Sequence, residues 1–156
     1  MDTDEKIVFL KYSLPELLST LSAEQTGGWG KMNAQQMIEH YTNAVKISSG
    51  VVTFSTTLNH EAIEKNHRFL MTDRPFKESI KDPLLPEEPV AFEKGSITEA
   101  IATLQNAFNH FFEYYQNNPD ERVNNPIFGP LNFEEQVHLL HKHALHHLAQ
   151  FGLEAV

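Results

Sequence analysis

An all-α fold, a bundle of amphipathic helices around one core, is what this sequence predicts, and three observations carry the prediction. Asn33, Ser96 and Asn132 each stand one residue ahead of an apolar repeat of helical period, with Gln36, Glu99 and Glu135 three positions on, the spacing of a capping box. No stretch reads confidently as a strand of a sheet. The chain has 156 residues, room for one domain; at that size a globular fold buries roughly 68–70% of the surface its unfolded chain exposes and needs no covalent staples.

In chain order, the first predicted helix covers about Pro15 to Ser22, since proline is tolerated in a first turn where its missing N–H had no partner. Thr26 to Lys31, with Gly27, Gly28 and Gly30 around the only tryptophan, Trp29, reads as a connecting loop. Asn33 caps a second helix, Ala34 to about Ile47, whose Ala34, Met37, Ile38, Tyr41, Ala44 and Val45 follow the offsets of a core-facing stripe. Val51 to Thr57 is β-branched and reads equally as a strand or as an extended connector. A short helix is predicted over Asn59 to Met71, followed by a polar loop with Pro75, Pro83, Pro86 and Pro89. The acidic stretch from Pro75 to Lys94 reads either as a lid or as a wrap over the bundle.

Ser96 opens the third long helix, which runs to about Gln116 and buries Ile97, Ile101, Leu104, Phe108, Phe111 and Phe112. Asp120 to Leu131, with Pro126, Gly129 and Pro130, is a second loop. Asn132 and Glu135 start a fourth helix that ends near Phe151, with Gly152 as its stop. The loops are too long for a simple up-down arrangement, so at least one connection crosses the bundle.

Lys plus Arg is 12 and Asp plus Glu is 21, a net charge of −9, which argues against a nucleic-acid partner and against an anionic membrane surface. With no cysteine, disulfides, thiolate metal sites and cysteine nucleophiles are all excluded. No apolar run approaches a membrane span of about 18 residues, and Met1-Asp2-Thr3-Asp4-Glu5 is unlike a signal peptide, so a cytoplasmic location is expected. The outstanding feature is histidine: nine in all, of which His138, His141, His143, His146 and His147 fall within ten consecutive residues.

At about 100° per residue, Phe133, Val137, Leu140, Ala144, Leu148 and Phe151 cluster within roughly 80° and form the core stripe of the fourth helix. His143 and His147 share one shoulder of that stripe with Gln136 and Gln150. His138 and His146 point towards solvent, and His141 lies on the opposite shoulder. His143 and His147 are the only i, i+4 histidine pair of this helix, a spacing that lets both rings converge on one ion with bonds of about 2.0–2.1 Å. Such a pair needs a third ligand from a neighbouring helix, and His40, at the edge of the second helix's stripe beside Met37, Ala44 and Ile47, meets that description.

The plainer readings stand beside this one. Five histidines on one helix produce an i, i+4 pair by chance, and His40 taken alone reads as a hydrogen-bonded shoulder histidine. His138, His141 and His146 read as solvated, and Met32, Met37 and Met71 as core filler. Of the remainder, His60 and His67 sit on the short helix and His110 lies among aromatic residues. Glu39, Glu134 and Glu135 fit exposed-face and capping preferences better than general-base work. Trp29, Tyr41 and Gln150 are candidates to line the approach, without an assigned catalytic role.

The run Trp29-Gly30-Lys31-Met32-Asn33-Ala34-Gln35-Gln36-Met37-Ile38-Glu39-His40 resembles the second-helix signature of the DinB/YfiT-like metalloprotein superfamily, in particular a subgroup with a W-G-K-M-x-A-x-Q-M-x-x-H start. Pro126-Ile127-Phe128-Gly129-Pro130-Leu131 and Lys142-His143-Ala144-Leu145-His146-His147-Leu148-Ala149-Gln150-Phe151-Gly152 look like that subgroup's closing motifs. The resemblance covers Trp29 to Ile47 and Pro126 to Gly152. It implies a four-helix bundle, often dimeric, and a divalent metal, usually zinc or nickel, held by His40, His143 and His147. Two positions depart from the pattern. Leu148-Ala149-Gln150 stands where many members have Arg-Gly-Gln, and Asn125 stands where some carry a histidine before the Pro-x-Phe-Gly turn.

What the resemblance implies for function is a metal-dependent transferase or hydrolase that works on a small-molecule substrate with a low-molecular-weight thiol of the bacillithiol or mycothiol kind. Having no cysteine, the chain would take its reactive sulfur from a cofactor or substrate. Two other expectations remain open: a non-catalytic bundle that binds metal or a ligand for a structural or stress-related purpose, and a bundle whose histidines only collect metal during purification.

Overall fold

The computed structural model describes residues 1–78, 91 and 93–155. Most of the Pro75–Lys94 stretch, including Pro83, Pro86 and Pro89, lies outside the described residues, and so does the question of lid or wrap. Among the described residues the protein is mostly helical, with one small two-stranded sheet.

The chain opens with a continuous helical rod: α1 (Thr3–Val8), a π-helical turn (Phe9–Ser13) and α2 (Leu14–Leu18). The first predicted helix is therefore corrected at both ends, because helix begins at Thr3 and stops at Leu18. Asp2 caps the rod, accepting from the Glu5 amide at 2.8 Å while the Glu5 carboxylate accepts from the Asp2 amide. Pro15 does not start the helix but lies within it. It has no N–H to offer the Lys11 carbonyl, and the wide turn ahead of it, closed by Leu14 N–H to the Phe9 carbonyl, makes room for its ring.

After a loop comes α3 (Ala34–Ser48), capped by Asn33, whose side chain accepts from the Gln36 amide. The Gln25 and Ala23 carbonyls accept from the Ala34 and Gln35 amides, so the donors at the start of α3 are satisfied by the loop itself. Val51 to Thr57 forms no strand and is the extended connector of the two readings; Thr56 Oγ1 ties it to the Pro126 carbonyl at 2.6 Å. Then come α4 (His60–Leu70), capped by Asn59, and α5 (Ile97–Asn117), capped by Ser96. At Ser96 the capping box is only half made: the Glu99 carboxylate accepts from the Gly95 amide instead of the Ser96 amide.

The expected loop at Asp120 to Leu131 is instead an antiparallel hairpin, β1 (Val123–Asn125) with β2 (Gly129–Leu131), in the register Val123↔Leu131, Asn124↔Pro130, Asn125↔Gly129. The Asn125 side chain holds its turn by accepting from the Ile127 and Phe128 amides, and Gly129 sits at φ 83°. Strands this short carry no alternation long enough to be read. α6 (Phe133–Gln150) follows with a complete capping box at Asn132 and Glu135. It stops as predicted: Gly152 takes φ 73°, Leu153 N–H reaches the Leu148 carbonyl and Gly152 N–H the Ala149 carbonyl.

α3 packs on α5 and α6, α1 lies along α6, and α2 touches α5. Leu10, Leu14 and Leu18 from the rod meet Met37, Ile38, Tyr41 and Val45 of α3, Leu104, Phe108 and Phe111 of α5, and Val137, Leu140 and Leu148 of α6. A smaller cluster of Leu70, Phe128, Leu131 and Leu139, with Phe76 and Ile127 against it, fastens α4 and the hairpin to α6. Of the methionines expected as filler, Met37 is buried and Met32 packs at the margin, but Met71 is exposed. Among the described residues no helix is long and apolar enough to cross a membrane.

Replacing Asn132 by Ala removes the cap of the helix that carries most of the histidines. The expected loss is about 1 kcal/mol, within about 0.5–2, read as a lower urea midpoint at unchanged slope. An unshifted midpoint would show that solvent replaces the cap at no cost.

Candidate metal centre

The core stripes of α3 and α6 face each other, so residues just off each stripe meet at its edge. His40 on α3 and His143 and His147 on α6 meet there, each offering one ring nitrogen, all within 4.8 Å of one another. Nε2 of His40 and Nε2 of His143 are 3.3 Å apart, and Nε2 of His143 and Nε2 of His147 are 2.8 Å apart. The rings stand edge to face: His40 is 5.2 Å from each of the other two, between centroids. Tetrahedral coordination with bonds of about 2.0–2.1 Å separates neighbouring nitrogens by about 3.3–3.4 Å, so this donor set fits one small ion with little movement. All three donors are imidazole and, among the described residues, no carboxylate joins them, which suits zinc, nickel and similar metals and not calcium or magnesium.

The environment keeps the two α6 rings neutral. Burial pushes the pKa of His147 down to about 3; the neighbouring His40 adds to the effect and a hydrogen bond with Gln150 opposes it. Burial, then His147 and His40, holds His143 well below its ordinary value. An imidazole must be unprotonated to ligate, and these two are so throughout the physiological range. On its other side His147 Nδ1 lies 2.8 Å from Gln150 Oε1, and Gln150 Nε2 donates to the Trp29 carbonyl at 3.0 Å.

Aromatic rings enclose the cluster. Tyr41 lies edge-on to His143 at 5.1 Å, but its buried hydroxyl donates to the Leu140 carbonyl at 2.7 Å, and burial pushes its pKa well up. It walls the site with its hydroxyl proton committed to Leu140 and not readily lost. Phe76 stands perpendicular to His143 at 6.5 Å and to His146 at 6.1 Å. It was absent from the sequence reading, and nothing in its proline-rich surroundings marks it. Trp29 meets His146 at 5.7 Å instead of reaching the triad.

Three histidines read as solvated are not. His138 is half-buried: its Nε2–H donates to the Leu70 carbonyl at 2.6 Å, and its Nδ1 faces Lys6 Nζ at 3.0 Å. His141 is buried, edge-on to Phe9 at 5.3 Å. His146 is half-buried between Trp29 and Phe76. The wheel gave their direction correctly but not what α1, α4 and the segment after α4 lay over that face. His60 and His110 are exposed, and His67 pairs with Glu135 at 2.8 Å. Asn125, the departure from the family pattern, is spent on its own turn. Glu39 is not on an open face either: it accepts from Gln35 Nε2 and from the Glu93 amide.

A family model described as the DinB superfamily matches residues 13–151. No curated protein and no solved structure matches the chain.

Acid should unfold this protein through its buried histidines. An unfolded histidine gains its proton near pH 6.5, whereas folded His141 gains it only at about 4, because of burial and then the nearby Lys6. Between those values the unfolded chain binds more protons, so stability is complete above pH 6.5 and falls as pH falls. The urea midpoint of metal-free protein should be flat from about pH 8 to 7 and decline below about 6.5. His141→Gln should reduce that decline by about one proton's worth of slope. An unchanged slope would remove His141 from the account.

Proposed function

The chain belongs to the DinB superfamily, and from that premise we propose that it is a divalent-metal protein in which His40, His143 and His147 hold the ion, with zinc or nickel as the occupant. The observation that carries the reading is the convergence of three buried or half-buried imidazole nitrogens, from two helices, within 4.8 Å. The reading extends to a metal-dependent transferase or hydrolase that uses a low-molecular-weight thiol. It includes membership of the W-G-K-M subgroup, a four-helix bundle formed by the α1–α2 rod, α3, α5 and α6, and a homodimeric, cytoplasmic state.

Held by these three residues, a Zn²⁺ ion would supply Lewis-acid chemistry, lowering a water's pKa to about 7 or deprotonating a thiol. The chain supplies the rest. His143 and His147 present neutral rings, Gln150 holds the far side of His147, and Tyr41 and Phe76 wall the cluster with apolar edges.

One observation favours a non-catalytic metal- or ligand-binding role as the second reading. The Tyr41 hydroxyl is committed to Leu140, and the Glu39 carboxylate to Gln35 and Glu93, so neither is poised as a general base.

Elemental analysis of untagged protein tests the centre. The expected result is about one ion per chain in wild type and in His110→Ala, with loss in His40→Ala, His143→Ala and His147→Ala. Substoichiometric metal insensitive to His40 would mean that the histidine-rich helix merely collects ions. Metal at a hundredfold excess over Kd should add about 2.7 kcal/mol of stability. Turnover with a thiol co-substrate would support the enzymatic reading, and outright unfolding on chelation the structural one.

A further inference from the structure

We propose that Gln150 is a positioning residue for the histidine cluster. It determines which nitrogen of His147 carries the proton, and the glycine-rich loop at 27–30 is shaped to hold it there. The consequence for metal affinity rests on the metal-centre reading, whereas the tautomer itself does not.

Gln150 is 4% exposed and lies on α6 nearly one turn beyond His147. Its two amide ends can be told apart. The Trp29 carbonyl can only accept a hydrogen bond, so the end 3.0 Å from it is the amino group and the end 2.8 Å from His147 Nδ1 is the carbonyl oxygen. That oxygen can only accept in turn, which places the proton of a neutral His147 on Nδ1. The Nε2 lone pair is then left directed at the shared point with His143 and His40.

The loop closes on this amide from several sides. Gly28 N–H donates to the Gln150 backbone carbonyl at 2.7 Å, one of the carbonyls a helix end leaves unpaired. A Cβ on Gly27 would stand 2.9 Å from Gln150 Cγ and 3.2 Å from its carbonyl oxygen. A Cβ on Gly30 would stand 2.9 Å from Gln150 Nε2, and Gly30 has φ +78°, a conformation other residues rarely adopt. Two glycines on either side of one side chain, with a backbone donor on its carbonyl, leave the amide a single seat. The sequence shows only a flexible-looking loop around Trp29. In the fold, that loop selects a histidine tautomer through Gln150, 121 positions from Trp29.

The test uses the full chain, ¹⁵N-labelled and metal-free, with long-range ¹H–¹⁵N correlation of the imidazole rings. Wild-type His147 should appear as the Nδ1–H tautomer. Gln150→Leu should shift it towards Nε2–H, and Gly30→Ala, which displaces the amide without removing it, should do the same more weakly. Gln150→Glu keeps the acceptor facing Nδ1 but gives up the donor to the Trp29 carbonyl, and should retain Nδ1–H. Zinc affinity by chelator competition should fall about 10–100-fold in Gln150→Leu and less than that in Gln150→Glu. A Gln150→Leu chain that keeps Nδ1–H, or a Gln150→Glu chain that loses it, overturns the proposal. A wild type that takes up no zinc instead overturns the metal-centre reading, and the tautomer comparison still decides the role of Gln150.

Discussion

Three ring nitrogens as close as those of His40, His143 and His147 need a proton or a cation between them, because lone pairs alone repel. Holding them there requires α3 and α6 to cross at one place, since a slip of one residue along either helix moves a ring by about 1.5 Å and turns it by about 100°. Apolar packing fixes the crossing: Met37, Ile38 and Tyr41 from α3 fill against Leu140, Ala144 and Leu148 from α6, each worth roughly 1.5–3 kcal/mol for a large side chain fully buried. One polar contact fixes the register. The Tyr41 hydroxyl on the Leu140 carbonyl ties the residue after His40 to the residue three before His143. Its net contribution is only about 1 kcal/mol, but unlike packing it has a direction.

The polar edge of α6 follows from the same requirement. A helix with His138 half-buried and Lys142 buried needs partners for them, and they are carbonyls at the end of another helix. Lys142 Nζ donates to the Thr72 carbonyl at 2.7 Å and lies 4.8 Å from the Phe69 ring centre; His138 donates to the Leu70 carbonyl. A cation at the negative end of α4 is favoured electrostatically, and burial together with Lys6 and Arg74 lowers the pKa of Lys142 while Asp73 opposes them. These contacts dock the end of α4 on α6, which delivers Phe76 over His143 and His146. His138 thus acts on the site indirectly, with Lys142, by anchoring the segment that leads to Phe76.

Much of this was legible one element at a time. Asn33, Asn59 and Asn132 mark helix starts because a cap needs only its own side chain and an amide three residues on. Gly152 marks a stop for an equally local reason. Where locality failed, so did the reading. Pro15 looks like the start of a helix that in fact opens at Asp2, since a π turn can absorb the missing N–H. Residues 123–131 carry a hairpin too short to show a period, held by the Asn125 side chain and by packing of Leu131 and Phe128.

The sequence by itself determined the helical class, the core stripes and the three histidines that meet, because a helix of fixed period places i and i+4 on one edge and apolar stripes must face each other. It could not determine what covers the other edges. Whether His138, His141 and His146 stay in water, whether Gln150 reaches a wall or a ligand, and what closes over His143 all depend on contacts between residues about 70 to 130 positions apart. Only the tertiary structure decided those, because a side chain's protonation and tautomer belong to its three-dimensional neighbours and not to its place on the wheel.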